Sequence, residues 1–227
     1  MIDACVIFDV DGVLLELTAE EEDAFFVPFA NRCVGTIFSR DWNSYRIRND
    51  ENIIAEIIER CGGPPEDREI VKTEYLEILR ARLLSGQIAT KTIPGAVDLI
   101  AKLSGQVQLG IATANFHGAA HMRLETVGLW QPVTNLSVGA DGGGSKTEIL
   151  GRALVKLKIP KSQIVYVGDN LNDVAAGLAH GVHFIGFSTS LQRRSELAAA
   201  GADFITDNHL ITYQRIYDLL QITKNQT

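Results

Sequence analysis

The sequence predicts an α/β fold in which a parallel sheet is interrupted, just after its first strand, by an inserted helical cap. Three observations carry this. Short apolar, β-branched runs alternate with longer helical patterns through residues 96–220. The stretch between the first run and the second is long, and its apolar residues fall at helical spacing. Carboxylates and glycines also follow two of the runs directly, which is where open parallel sheets place their ligands.

Taken in order, the runs at 5–8, 107–112, 133–138, 164–167, 183–185 and 203–205 read as strands. Helical patterns cover 96–103, 118–127, 147–157, 173–179, 191–200 and 209–220. Strand and helix in alternation imply a Rossmann-like sheet with helices on both faces. Residues 16–92 form the insertion, helical throughout, with Ile53, Ile54, Ile57 and Ile58 on one face. Cys61-Gly62-Gly63-Pro64-Pro65 breaks it, and a new helix runs from about Glu66 towards Leu84. Pro94-Gly95 marks the return, so 1–15 and 93–227 make the α/β core and 16–92 the cap. An insertion placed after the first strand would lie over the strand ends as a lid.

Composition narrows the function. The chain has 227 residues, 46% hydrophobic and 22% charged, which are ordinary globular values. Its net charge of -7 argues against a surface that neutralises nucleic acid, because that needs clustered cations. No stretch approaches the roughly 18 apolar residues of a membrane span, and MIDACVIFDVDGV lacks the basic start of a signal peptide, so the expected location is cytoplasmic. Cys5, Cys33 and Cys61 show no metal-ligand spacing and read as reduced thiols. Composition says nothing of oligomeric state.

Phe8-Asp9-Val10-Asp11-Gly12-Val13 ends the first strand with two carboxylates. In extended chain, alternate side chains share a side. Two charges about 4 Å apart repel by about 4 kcal/mol at an effective dielectric near 20, so the pair needs a cation, a shared proton or divergent side chains. A turn explains DxDG equally well, whereas a calcium loop fails at Val13 and Leu14. Thr113 and Asn115 follow the second strand, where a helix cap is the plainer reading. Lys146 follows Gly142-Gly143-Gly144-Ser145; a Walker loop would need Gly where Ser145 stands, and a solvated lysine is the bland alternative. Gly168-Asp169-Asn170-Leu171-Asn172-Asp173 ends another apolar run, with two acids four residues apart at a helix start. Capping explains one of them, but not four carboxylates at the ends of two strands.

In this order, DxDGV, Thr113, Lys146 and GDNLND resemble the motifs of the haloacid dehalogenase superfamily, in its phosphatase branch with a helical cap (phosphoglycolate phosphatase or β-phosphoglucomutase-like). The resemblance covers essentially the whole chain. It implies Mg²⁺-dependent hydrolysis of a small phosphorylated metabolite, with Asp9 as nucleophile and Asp11 as acid and then base. By the same resemblance Thr113, Asn115 and Lys146 bind phosphate, while Asp9, Asp11 (through its carbonyl), Asp169 and Asp173 bind the metal. A phosphomutase, with Arg46 and Arg48 gripping a second anion, and a non-catalytic metabolite-binding module are the alternatives. Dehalogenation is disfavoured, since a departing halide would leave Asp11 idle. The chain departs from the family pattern at Thr147-Glu148, where proline is common, and at Leu15-Glu16-Leu17-Thr18, where an Asp usually precedes Thr or Ser.

Overall fold

The structure, a computed structural model, describes residues 3–222 apart from 31, 34 and 36; Met1 and Ile2 of the N-terminal reading lie outside it. The chain enters through strand β1 (Cys5–Phe8) and leaves it for helices α1 (Ala19–Phe26), α2 (Asp50–Arg60) and α3 (Asp67–Leu84). It returns through α4 (Ala96–Leu103), β2 (Gln108–Ala112), α5 (His117–Thr126), α6 (Trp130–Val133) and β3 (Ser137–Val138). The rest alternates: α7 (Lys146–Leu154), β4 (Ile164–Gly168), α8 (Leu171–His180), β5 (His183–Phe187), α9 (Leu191–Ala199), β6 (Phe204–Thr206) and α10 (His209–Leu220).

All six strands are parallel, in the order β3-β2-β1-β4-β5-β6. This is the doubly wound arrangement in which the strand order reverses at β1, so a crevice opens beyond the ends of β1, β2 and β4. Period-two alternation covers both faces: Val6, Phe8, Val165 and Val167 pack into one apolar layer, Cys5, Ile7, Ile164 and Tyr166 into the other. Strands buried on both faces must be continuously apolar, which is why these runs stand out in the sequence.

The expected strand over 133–138 is corrected. Only Ser137–Val138 pairs with β2, and the preceding residues form α6 and a 3₁₀ turn, Thr134–Leu136. Pro132 lies in the first turn of α6, where no intrahelical donor is needed, and Leu136 fills the space left by Gly110; a Cβ there would overlap it.

The insertion is also less helical than its composition implies. Between α1 and α2 the described chain has only two 3₁₀ turns, Val27–Phe29 and Trp42–Ser44. Aromatic packing holds this stretch: Phe25 to Trp42 at 4.8 Å between ring centres, Phe26 stacked on Phe38 at 6.0 Å. A disulfide joins Cys33 to Cys61, correcting the reading of both as reduced thiols. The packing of α2 on this stretch brings the two Cα atoms to 5.4 Å, within bridging range. Cys5 stays free and buried in the sheet. The two linkers cross side by side, with Glu16 N donating to Lys91 O (2.9 Å) and Ile93 N to Leu14 O (2.9 Å). Phe116, which caps α5, and Ala119 within it join the apolar cluster of the insertion, so that layer rests on the core.

Candidate active site

Asp9 is the first residue past β1, and its N–H still donates to Val167 O (2.9 Å), so the sheet fixes its backbone. Its Oδ1 accepts from Val10 N (2.8 Å) and Lys146 Nζ (2.7 Å). Among the described residues its Oδ2 has no donor. Gly12 then turns at φ 76° with its α-carbon against Asp169; a Cβ would overlap that carboxylate. Glycine here meets both a left-handed backbone and a close approach.

Lys146 is the first residue of α7, whose capping box pairs Ser145 with Glu148. Its buried ammonium bridges Asp9 Oδ1 and Asp173 Oδ1 (3.1 Å). Burial alone would discharge it; Asp173 and Asp9 outweigh that and hold it above the ordinary lysine range. Asp9 is pushed up to about 7, chiefly by burial, with Lys146 opposing and Asp173 adding. Asp169 is raised well above the usual carboxylate range by burial and then by Asp173 and Asp9. Asp173 is fully buried and closes the cap of α8, accepting from Asn170 N (3.0 Å) and Tyr166 OH (2.6 Å).

One oxygen from each of Asp9, Asp169 and Asp173 lies within 4.8 Å of the others. Three buried or half-buried carboxylates with one ammonium between them leave a surplus of negative charge. An all-oxygen donor set of that charge fits a hard divalent cation. Asp173 brings oxygens already engaged by three donors, so Asp9 and Asp169 are the freer members.

Asp9 and Asp11 diverge instead of sharing a cation. Asp11 Oδ1 turns to Arg123 Nη2 (2.7 Å), which also donates to Glu21 and the Glu16 carbonyl. The Arg123 side chain is only 2% exposed. Burial works against its charge, but Asp11 and Glu21 more than offset this, so it stays protonated throughout. Thr113 is buried at the end of β2 and accepts from Asn115 N through Oγ1 (3.2 Å), while Asn115 Oδ1 accepts from Arg123 Nη1 (3.2 Å).

All seven site residues read from the sequence except Asp173 line one cavity of about 440 Å³, and Asp173 lies behind its floor. The insertion supplies the roof, with Phe25, Trp42 and Tyr75 as its aromatic wall and Arg48, Asn49 and Asp50 at the start of α2. Polar bonds fasten that helix start to the core: Asp50 N donates to Ala114 O (3.0 Å), Phe116 N to Asp50 Oδ2 (2.7 Å), and Asn49 Nδ2 to Gly144 O (2.6 Å). Arg48 reaches Asn43 and Asn170 and no carboxylate among the described residues, whereas Arg46 pairs with Glu56 and Glu59 outside the cavity.

Glu21, Asp50 and Arg123 were missed by the sequence reading, yet each leaves the same trace. Each occupies a position on an otherwise apolar helical stripe: Glu21 with Ala24 and Phe25, Asp50 with Ile53, Ile54 and Ile57, Arg123 with Ala119, Ala120 and Leu124. A charge on the buried side of a helix needs a partner inside.

Carboxylates at the switch point of a doubly wound sheet, a lysine between them and a roof inserted after the first strand define a hydrolase-like site. Residues 6–187 match the model of the haloacid dehalogenase-like hydrolases, and the chain belongs to that family, as a phosphatase-like hydrolase with an acidic cluster. The phosphoglycolate phosphatase of Synechococcus elongatus is 24% identical over 225 residues, which is 95% of this chain and 98% of the relative. Among solved structures, CbbY of Rhodobacter sphaeroides in complex with phosphate has a similar fold, with a TM-score of 0.73 at 23% identity over 92% of this chain and 95% of that one. A putative β-phosphoglucomutase of Bacteroides vulgatus gives 0.69 at 19% identity, covering 99% and 92%.

Proposed function

We propose that the chain hydrolyses a small phosphate monoester through a phosphorylated Asp9, with Mg²⁺ bound. A bond forms from an Asp9 oxygen to phosphorus as the ester P–O bond breaks, and Asp11 protonates the departing oxygen. Asp11 then takes a proton from the water that attacks phosphorus, releasing phosphate and restoring Asp9. Thr113 and Asn115 hold phosphate oxygens, and Lys146 offsets their charge. Asp9, Asp169 and Asp173, with the Asp11 carbonyl, would hold the metal. When bound, Mg²⁺ neutralises charge on the transferring group.

The observation that supports this reading is Lys146, Asp9 and Asp169 gathered on the floor of a roofed cavity of about 440 Å³, the size of a small-molecule site, with Asp173 directly behind them. Phosphate release from a panel of phosphorylated metabolites with Mg²⁺ tests it. Asp9→Asn is expected to abolish release, and so is chelation of the metal. Near-normal turnover by that variant would remove Asp9 from the nucleophile's role.

Arg48 favours a second reading. A cation facing the cavity without a carboxylate partner suits a second anionic group, as a phosphomutase acting on sugar phosphates requires. Isomerisation of a hexose phosphate without phosphate release would establish it. The cytoplasm is the compartment we propose. Co-fractionation of the native protein with a cytosolic marker is the expected result.

A further inference from the structure

Arg123 has no role in the reaction as written above, yet its guanidinium is placed where that reaction needs control. Its five polar contacts are Nε to Glu21 Oε1 (2.8 Å), Nη2 to Glu21 Oε2 (3.3 Å), Nη2 to Asp11 Oδ1 (2.7 Å), Nη2 to Glu16 O (3.1 Å) and Nη1 to Asn115 Oδ1 (3.2 Å). Burying a guanidinium this deeply is costly, and Glu21 alone would neutralise it. The second carboxylate, Asp11, is instead 26% exposed to the cavity, and its Oδ2 has no donor among the described residues. One oxygen of Asp11 is therefore clamped and the other left for the ligand. The clamp is itself fixed: Glu21 Oε2 accepts from Thr18 N (2.9 Å) in the capping box of α1, so the roof holds the arginine.

We propose that Arg123, oriented by Glu21 of the inserted roof, is the positioning residue for Asp11. The proposal rests on the phosphatase reading. In the first step the Asp11 Oδ2–H bond breaks, its proton goes to the ester oxygen that keeps the electron pair of the broken P–O bond, and Asp11 is left anionic. Arg123 lies against Oδ1, which leaves Oδ2 as the oxygen that faces the leaving group. It also fixes the rotamer that aims Oδ2 at the leaving oxygen.

This role is separable from a structural one by the leaving group. A nitrophenolate departs without a proton, whereas an alkoxide does not. The experiment measures kcat/KM of wild type, Arg123→Gln and Arg123→Lys on p-nitrophenyl phosphate and on alkyl esters, namely phosphoglycolate, glycerol phosphate and glucose phosphate. Arg123→Gln is expected to lose about 100-fold on the best alkyl ester, the scale of general acid catalysis, but only about 3-fold on the aryl ester. Arg123→Lys should restore part of the alkyl rate. Equal losses on both classes would overturn the proposal, since a damaged fold cannot distinguish them. If Arg123→Gln does not fold, Glu21→Gln, which keeps the arginine, should show the same split at smaller size, and equal losses there overturn it too. Wild-type protein releasing phosphate from none of these esters would instead sink the phosphatase reading.

Discussion

The floor and the roof of the cavity are built on different principles. The floor comes from strand ends: Asp9 follows β1, Thr113 follows β2 and Asp169 follows β4, each placed by backbone pairing that any parallel sheet would provide. The roof is held by side chains, through the aromatic cluster around Phe25 and Trp42, the Cys33–Cys61 link, and the bonds of Asn49 and Asp50 to the core. The floor therefore forms a rigid frame, while the roof can vary by side-chain exchange. Changes to the floor should mainly alter rate, and changes to the roof stability and selectivity.

The sharpest break of that comparison is at Lys146. Lys146→Met removes the cation between Asp9 and Asp173 and leaves their charges buried and uncompensated. The expected loss in kcat is about 10²–10³-fold, as for removing one preorganised electrostatic partner. Added Mg²⁺ should raise the melting temperature of this variant more than that of wild type, because the ion takes over part of the neutralisation. Calorimetry at matched metal concentrations checks it, and an equal rise in both proteins would separate Lys146 from the metal cluster.

Cutting the roof's covalent link is the next largest effect. Cys33 and Cys61 are 28 residues apart, and closing a loop of that length restrains the unfolded chain by about 3.6 kcal/mol in the chain-entropy account. Cys33→Ser with Cys61→Ser should lose stability of that order, and hydrogen exchange in α2 and α3 should quicken while β1 and β4 stay protected. Uniform quickening would mean that roof and floor unfold as one unit.

The same contrast explains what could be read from the sequence. Asp9, Asp11 and Asp169 were legible because a buried parallel strand leaves a continuous apolar run, and polar residues at its end are conspicuous. Lys146 was legible through the glycines before it. The roof offered no such punctuation. Its 27–49 segment is held by aromatic contacts between residues far apart in sequence, which local periodicity cannot register, and the cystine depends on how α2 folds back. The 133–136 turn was misread as strand because Val133 and Leu136 are apolar in either conformation, and only the packing of Leu136 against Gly110 settles it. Arg123, Glu21 and Asp50 were hidden by the assumption that charges on helices face water, although their places on apolar stripes argued otherwise.

Asp50 yields the gentlest test, because it changes a single charge where roof meets core. Burial pushes its carboxyl up to about 8, the Phe116 N–H opposes this, and the nearby Asp11 charge adds to it. In the unfolded chain the group titrates in the ordinary carboxylate range near 4. Below that range both states are protonated and Asp50 has no effect on stability. Between about 4 and 8 the unfolded chain ionises while the folded one stays neutral, so this group's contribution to stability falls as pH rises and levels off above 8. Asn at this position keeps an oxygen for the Phe116 N–H and cannot ionise. Asp50→Asn should therefore melt a few degrees above wild type at pH 5 and about 8 °C or more further above it at pH 8, taking about 1.4 kcal/mol per pH unit and about 2–4 °C per kcal/mol for a chain of this size. A difference that does not grow with pH would show that Asp50 is charged in the folded protein, and that the roof is fastened to the core by an ion and not by a neutral acid.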